Sequence, residues 1–269
     1  MTTGDPTEGD VTQDFWAVLR RNTQARIGLG RAGDALPTAR VLELRAAHAA
    51  ARDAVHTPLN TTEFADRVRV IGLGEPLLVR SRAAGRSEYL RRPDLGRVPE
   101  TTPGEGFSAL PRTGAEIGVV LADGLSPRAL AEHGAETLLA LKDELAQQYR
   151  IAPPVIATQA RVALGDHIGA ALGVTTVLVL IGERPGLSVA DSLGIYLTHL
   201  PRPGRTDAER NCVSNIHPPD GLGYAAAAAV VAGLIAGARR LGRSGIDLKD
   251  TSDRGLTGAA PAELDRPGQ

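Results

Sequence analysis

From residue 117 onward the chain alternates between short, unbroken apolar runs and longer stretches whose apolar residues recur every three or four positions. The first pattern predicts strands buried on both faces, and the second predicts helices laid against them. Residues 117–124, 155–158 and 175–182 read as three such strands, and residues 195–198 as a fourth, less apolar one. Ser126-Pro127 predicts a capped helix start running to about Arg150, a shorter helix spans about residues 166–172, and an alanine-rich helix runs from Tyr224 to about Leu241. Strand, helix, strand, helix, strand in that order predicts an α/β fold with a C-terminal doubly wound (Rossmann-like) parallel sheet.

The first part of the chain follows another pattern and predicts a mostly helical N-terminal region. Phe15, Trp16 and Leu19 share one face of a helix, and a long helix opens at Pro37 with Val41, Leu44, Ala47, Ala51 and Val55 facing inward. A shorter helix at residues 62–70 precedes an expected hairpin built from residues 77–81 and 88–92. Residues 98–115 have the proline and glycine content of a linker. The expected organisation is therefore a flexible N-terminus (1–13), a helical region (14–97), the linker (98–115), a Rossmann-like domain (116–250) and a flexible tail (251–269).

Composition narrows the partners. The 269 residues are 42% hydrophobic with a formal net charge of -1, which suits a chain with a real core and provides no global field for nucleic acid or anionic lipid. No unbroken apolar run reaches the ~18 residues of a membrane span, so neither nucleic acid nor a membrane is expected as a partner. Met1-Thr2-Thr3-Gly4-Asp5 lacks the basic and apolar regions of a secretory signal, and a cytoplasmic location is expected. Cys212 is the sole cysteine, which excludes an internal disulfide and a thiolate zinc cluster.

In open α/β sheets ligands collect beyond the carboxyl ends of the strands, which singles out Asp123-Gly124, residues 159–162 and Gly182-Glu183-Arg184. Asp123 to Ser126 stands just ahead of a helix, where it serves as a cap or as a phosphate site. Cys212 with His217 admits a nucleophile and its base, or inert packing. Gly28-x-Gly30-x-x-Gly33 has the letters of a dinucleotide fingerprint but follows a helix rather than a strand. His167, His199 and His217 sit on different elements without metal-ligand spacing, so no metal ligand and no catalytic residue is assigned.

Taken in order, several motifs resemble one family. Arg21-Asn22-Thr23-Gln24-Ala25-Arg26-Ile27, the segment 89–97, Asp123-Gly124-Leu125-Ser126, Gly182-Glu183-Arg184-Pro185-Gly186-Leu187, Asp191-Ser192-Leu193, residues 212–217 and Ser244-Gly245-Ile246 resemble the small (light) subunit of adenosylcobalamin-dependent ethanolamine ammonia-lyase. The resemblance covers about residues 14–247. It implies a carbon–nitrogen lyase that converts ethanolamine to acetaldehyde and ammonia by radical chemistry and is active only with a large barrel subunit, in a hetero-oligomer built as a hexamer of large–small pairs. It also implies that this chain binds adenosylcobalamin at the interface with that subunit, through Val162, Glu183 and Cys212. Proteins that replace the cofactor's lower base use Asp-x-His-x-x-Gly. Here Asp166 and His167 are adjacent, so the cofactor is expected base-on. A leader for a bacterial microcompartment is not evident. The alternative from another class is a stand-alone nucleotide-binding, flavodoxin-like module with Asp123 to Ser126 around a phosphate; a third reading is a stiffening subunit that does not touch the cofactor.

Overall fold

The computed structural model describes residues 15–250, so the segments 1–13 and 251–269 expected to be flexible lie outside the described residues. Residues 15–20 are helical (α1). They are followed by α2 (Thr38–His56), α3 (Thr61–Arg69), β1 (Leu77–Arg80), α4 (Arg86–Arg91), β2 (Ile117–Ala122), α5 (Pro127–Leu145), β3 (Val155–Thr158), α6 (Leu164–Leu172), β4 (Thr176–Gly182), β5 (Leu193–His199), β6 (Asn211–Ile216) and α7 (Tyr224–Leu241).

The six strands form one sheet in the order β1-β3-β2-β4-β5-β6. The first four are parallel, while β5 runs antiparallel to β4 and β6 antiparallel to β5. The α/β class is as expected, but the sheet is mixed. A wholly parallel sheet fails at β5, because the ten residues between Gly182 and Leu193 hold no crossover helix and can only turn the chain back.

Alternate residues of the central strands feed two cores. Ile117, Val119 and Leu121 of β2 pack with Leu178 and Leu180 of β4 against α5 and α7. Val120, Ala122, Val177 and Val179 face Leu164, Ile168 and Leu172 of α6. Each such leucine or isoleucine is withdrawn from water, worth about 1.5–3 kcal/mol apiece. Because α5 and α6 lie on opposite faces, the connections after β2 and β3 leave the sheet in opposite directions and open a crevice between their starts. α5 begins as its sequence predicts, with the Ser126 hydroxyl accepting from the Ala129 amide and Pro127 in the first turn.

Three readings are corrected. The expected hairpin does not form: residues 77–80 pair in parallel with β3, and residues 86–91 are helical, placing Tyr89 in the interior. Residues 211–216 are a strand at the sheet edge, where alternate side chains stay in solvent and no apolar run marks them. α2 buries Ala51 and Ala54 rather than Leu44 or Val55, and its first half is largely exposed. α7 is the one helix among the described residues long and apolar enough to cross a membrane, with mean hydropathy 1.3. Here it packs against α5 and the sheet, burying Val231, Leu234 and Ile235.

Candidate functional site

The carboxyl ends of β2, β3 and β4 come together as the sequence predicts, around a cleft of about 470 Å³ lined by Tyr89, Leu125, Arg161, Val162, Gly182, Glu183 and Tyr196 among others. Its floor depends on two glycines. Leu125 donates its amide to the Gly182 carbonyl at 2.9 Å. A Cβ on Gly182 would sit 2.0 Å from the Ser126 carbonyl oxygen, and Gly124 takes φ 56° with a Cβ position 2.3 Å from the Gly182 oxygen. Backbone therefore meets backbone here, a contact only glycine permits.

The wall after β3 is fixed by Asp123. Its carboxylate is 2% exposed and accepts from the Gln159 amide at 2.8 Å and the Ala160 amide at 3.0 Å. Burial pushes its pKa up, against the pull of those two amides and of Arg86, 4.0 Å away. Gln159 is held at φ 53°, a left-handed conformation that such a clamp makes tolerable. Arg86 in turn donates to the carbonyls of Val55, Gly124 and Leu125 at 2.6, 2.7 and 3.0 Å. Arg86 and Arg161 bracket the Tyr89 ring, with guanidinium carbons 4.8 and 4.4 Å from its centroid. The buried Arg161 Nε and Gln159 Oε1 have no hydrogen-bond partner.

On the far wall, Glu183 accepts from the Ser192 hydroxyl at 2.5 Å and from the Asn215 amide at 3.4 Å. Both donors meet Oε2, so no described residue donates to Oε1. Gly194 makes room for this side chain, since a Cβ there would lie 2.9 Å from Oε1. The loop 184–190 is held from the other end of the chain: Arg26 donates to the Leu187 carbonyl at 2.8 Å and Ser188 to the Gln24 carbonyl at 3.0 Å. Arg20 donates to the Gly28 carbonyl at 2.5 Å, so both of these arginines, which precede the Gly28–Gly33 segment, engage backbone oxygens.

Of the three residues singled out above, Val162 and Glu183 line the cleft. Cys212 stands one strand away, opposite Tyr196, whose ring is part of the cleft wall. Cys212 lies on the edge strand, and the withdrawal of its thiol from water, against a hydrogen bond with Tyr196 and with Glu183 adding to it, lifts the pKa to about 11. Such a thiol is protonated near neutral pH and unsuited to attack. We expect iodoacetamide at pH 7.5 to alkylate Cys212 about a hundred-fold more slowly than an unperturbed cysteine, with the rate climbing toward pH 11; a pH–rate profile levelling off near pH 8.5 would contradict this.

The remaining candidates have structural partners. Ser126 caps α5 and donates to the Ala190 carbonyl at 2.8 Å, and both Asp123 oxygens hold the β3 loop, so these two side chains serve the fold rather than a phosphate. With both Asp123 oxygens committed, Asp123 does not pair with Glu183 as acid and base. His199 lies 3.0 Å from Thr176 Oγ1, His217 lies 2.8 Å from Asn215 Oδ1, and His167 stands edge-on to Phe107. Tyr196 in the cleft wall and Arg86 behind it are residues that the sequence does not announce: one is an ordinary strand residue, and the other falls within the hairpin that does not form.

The cleft thus offers apolar walls, a cation with a donor unused and a carboxylate oxygen unused, a combination suited to a large ligand edged with amides and hydroxyls. A family model described as ethanolamine ammonia-lyase light chain matches residues 13–249. The chain is 67% identical over 239 residues to an ethanolamine ammonia-lyase small subunit of Rhodococcus erythropolis, covering 89% of this chain and 91% of that one. It is 47% identical over 247 residues to a protein of the same description from Azotobacter vinelandii, covering 90% and 91%, and 46% identical over 254 residues to one from Ralstonia nicotianae, covering 93% of each.

Proposed function

The chain belongs to the ethanolamine ammonia-lyase light-chain family, and from that membership we propose that it is the small subunit of an adenosylcobalamin-dependent lyase converting ethanolamine to acetaldehyde and ammonia. In this reading a large barrel subunit holds the substrate, and the cofactor lies between the two chains, in a hetero-oligomer built as a hexamer of such pairs. When bound, adenosylcobalamin supplies a cobalt–carbon bond that cleaves homolytically; this chain's residues hold and orient the group and exclude water.

The observation that carries the reading is that one cleft is lined by both Arg161, whose buried Nε has no partner, and Glu183, whose Oε2 alone is hydrogen-bonded. The amide and hydroxyl rim of a corrinoid needs such acceptors and donors, and Val162 adds apolar surface. Cys212, beside Tyr196, fits a packing contact at the cleft margin, in keeping with its protonated thiol. A base-on cofactor agrees with the surroundings of Asp166 and His167: both Asp166 oxygens are bound by Arg210, and His167 packs against Phe107.

The test is co-expression with the large subunit followed by an assay for acetaldehyde and ammonia. Product is expected only with both chains and adenosylcobalamin; lyase activity from this chain alone, or without the cofactor, would overturn the reading. Glu183→Gln is expected to weaken cobalamin binding by about 1–3 kcal/mol, roughly five- to 150-fold in Kd, with turnover at saturating cofactor changed much less. Abolished turnover with unchanged cobalamin affinity would instead make Glu183 part of the chemistry.

A further inference from the structure

On the face of α5 nearest the loop that precedes β5, three side chains converge whose chemistry the proposed cofactor site does not use. Glu132, His133 and Asp191 each bring one ligand atom, and these atoms all lie within 4.8 Å of one another. The second observation is the state of the histidine. His133 is 8% exposed, its Nδ1 lies 2.9 Å from the Tyr224 hydroxyl, and its Nε2 is buried without a hydrogen-bond partner, 4.0 Å from Asp191 Oδ2. With Nδ1–H donated to the tyrosine oxygen, Nε2 carries a lone pair pointed at two carboxylates, and the Tyr224 bond supplies the outer contact that fixes a ligating imidazole's tautomer.

The electrostatics agree. Arg128 lies 2.7 Å from Glu132 and 3.8 Å from Asp191, and one arginine against two carboxylates leaves the group short of a positive charge.

We propose that Glu132, His133 and Asp191 form a binding site for one divalent transition-metal ion of the zinc type. A neutral imidazole with two carboxylates is the donor set of such ions rather than of magnesium or calcium, with water completing the coordination. Tetrahedral ligands held at about 2.1 Å from one ion lie about 3.4 Å apart, so atoms now within 4.8 Å of one another close by up to about 1.4 Å. The exposed Glu132 side chain supplies that movement, and the Arg128 side chain, 46% exposed, turns to solvent. The ion ties α5 to the loop ending at Ser192, the residue that holds Glu183. The inference is independent of what the cleft binds.

The test uses the full chain, alone or in complex with a co-expressed large subunit, stripped with a chelator and dialysed against zinc in the absence of cobalamin. The expected result is about one zinc per chain above the level retained by Glu132→Gln or Asp191→Asn, each binding at least tenfold more weakly, and a rise in Tm with zinc that Asp191→Asn abolishes. Glu132 is exposed, so its variant reports binding without disturbing the fold. Zinc retained equally by the wild type and both variants, or an adventitious ion only, without a Tm change, overturns the proposal.

Discussion

Asp166→Ala is expected to destabilise the chain by about 3–5 kcal/mol, the cost of taking from a buried arginine its buried counter-charge and leaving it only the exposed Asp207 at 3.4 Å. Asp166 and Arg210 are each 2% exposed in their side chains and meet in a bidentate pair, with both contacts at 2.7 Å. The same guanidinium donates to Thr198 Oγ1 at 3.0 Å and to the Arg205 carbonyl at 2.9 Å, fastening α6 to β5 and to the segment entering β6. Removing the carboxylate leaves a buried cation whose other partner, Asp207, stands in solvent, which costs far more than an exposed pair such as Arg40–Glu43, worth at most about 1 kcal/mol. Chemical denaturation checks it. The double change Asp166→Leu with Arg210→Met should recover much of the loss, because the penalty comes from the orphaned charge; a loss below about 1 kcal/mol for Asp166→Ala alone would refute the account.

The second large effect is expected at Asp123, and it joins stability to binding. Asp123→Ala leaves the Gln159 and Ala160 amides without their acceptor and Arg86 without its carboxylate, a loss of about 3 kcal/mol if each deserted amide costs 1 kcal/mol or more. The segment set free carries Arg161 and Val162, so cobalamin affinity is expected to drop more than tenfold even where the variant is folded. Titrating cobalamin into Asp123→Ala and Glu183→Gln separates the two roles, since only the first should also lower Tm. Unchanged Tm in Asp123→Ala would mean that the loop is held by something else.

What the sequence reveals and what it hides divide along a physical line. β2, β4 and the start of α5 are legible because their signals are local: a doubly buried run, a glycine stop, a serine cap followed by proline. The direction of β5 is not, since an apolar run reads the same in either orientation and only the short connection before it decides. β6 and α4 stay hidden because an edge strand and a six-residue helix bury too few side chains to leave a period. In the cleft, Val162 and Glu183 follow from the resemblance and from strand ends, whereas the Arg86–Tyr89–Arg161 stack and the approach of Asp191 to His133 are contacts between distant segments that no spacing encodes.

The clasp between Gln24, Arg26 and the loop at Leu187 and Ser188 has a consequence for how the protein is made. Its halves are more than 160 residues apart, so at ribosomal speeds of about 5–20 residues per second the first half waits roughly ten to thirty seconds for the second to emerge. Contacts of such long sequence separation pay their loop-closure entropy in advance and close after local structure has formed. They are also surface contacts with little apolar burial, the kind that opens first in the finished protein. The rim beside Glu183 therefore takes its final shape only after local structure on both sides of the clasp has formed.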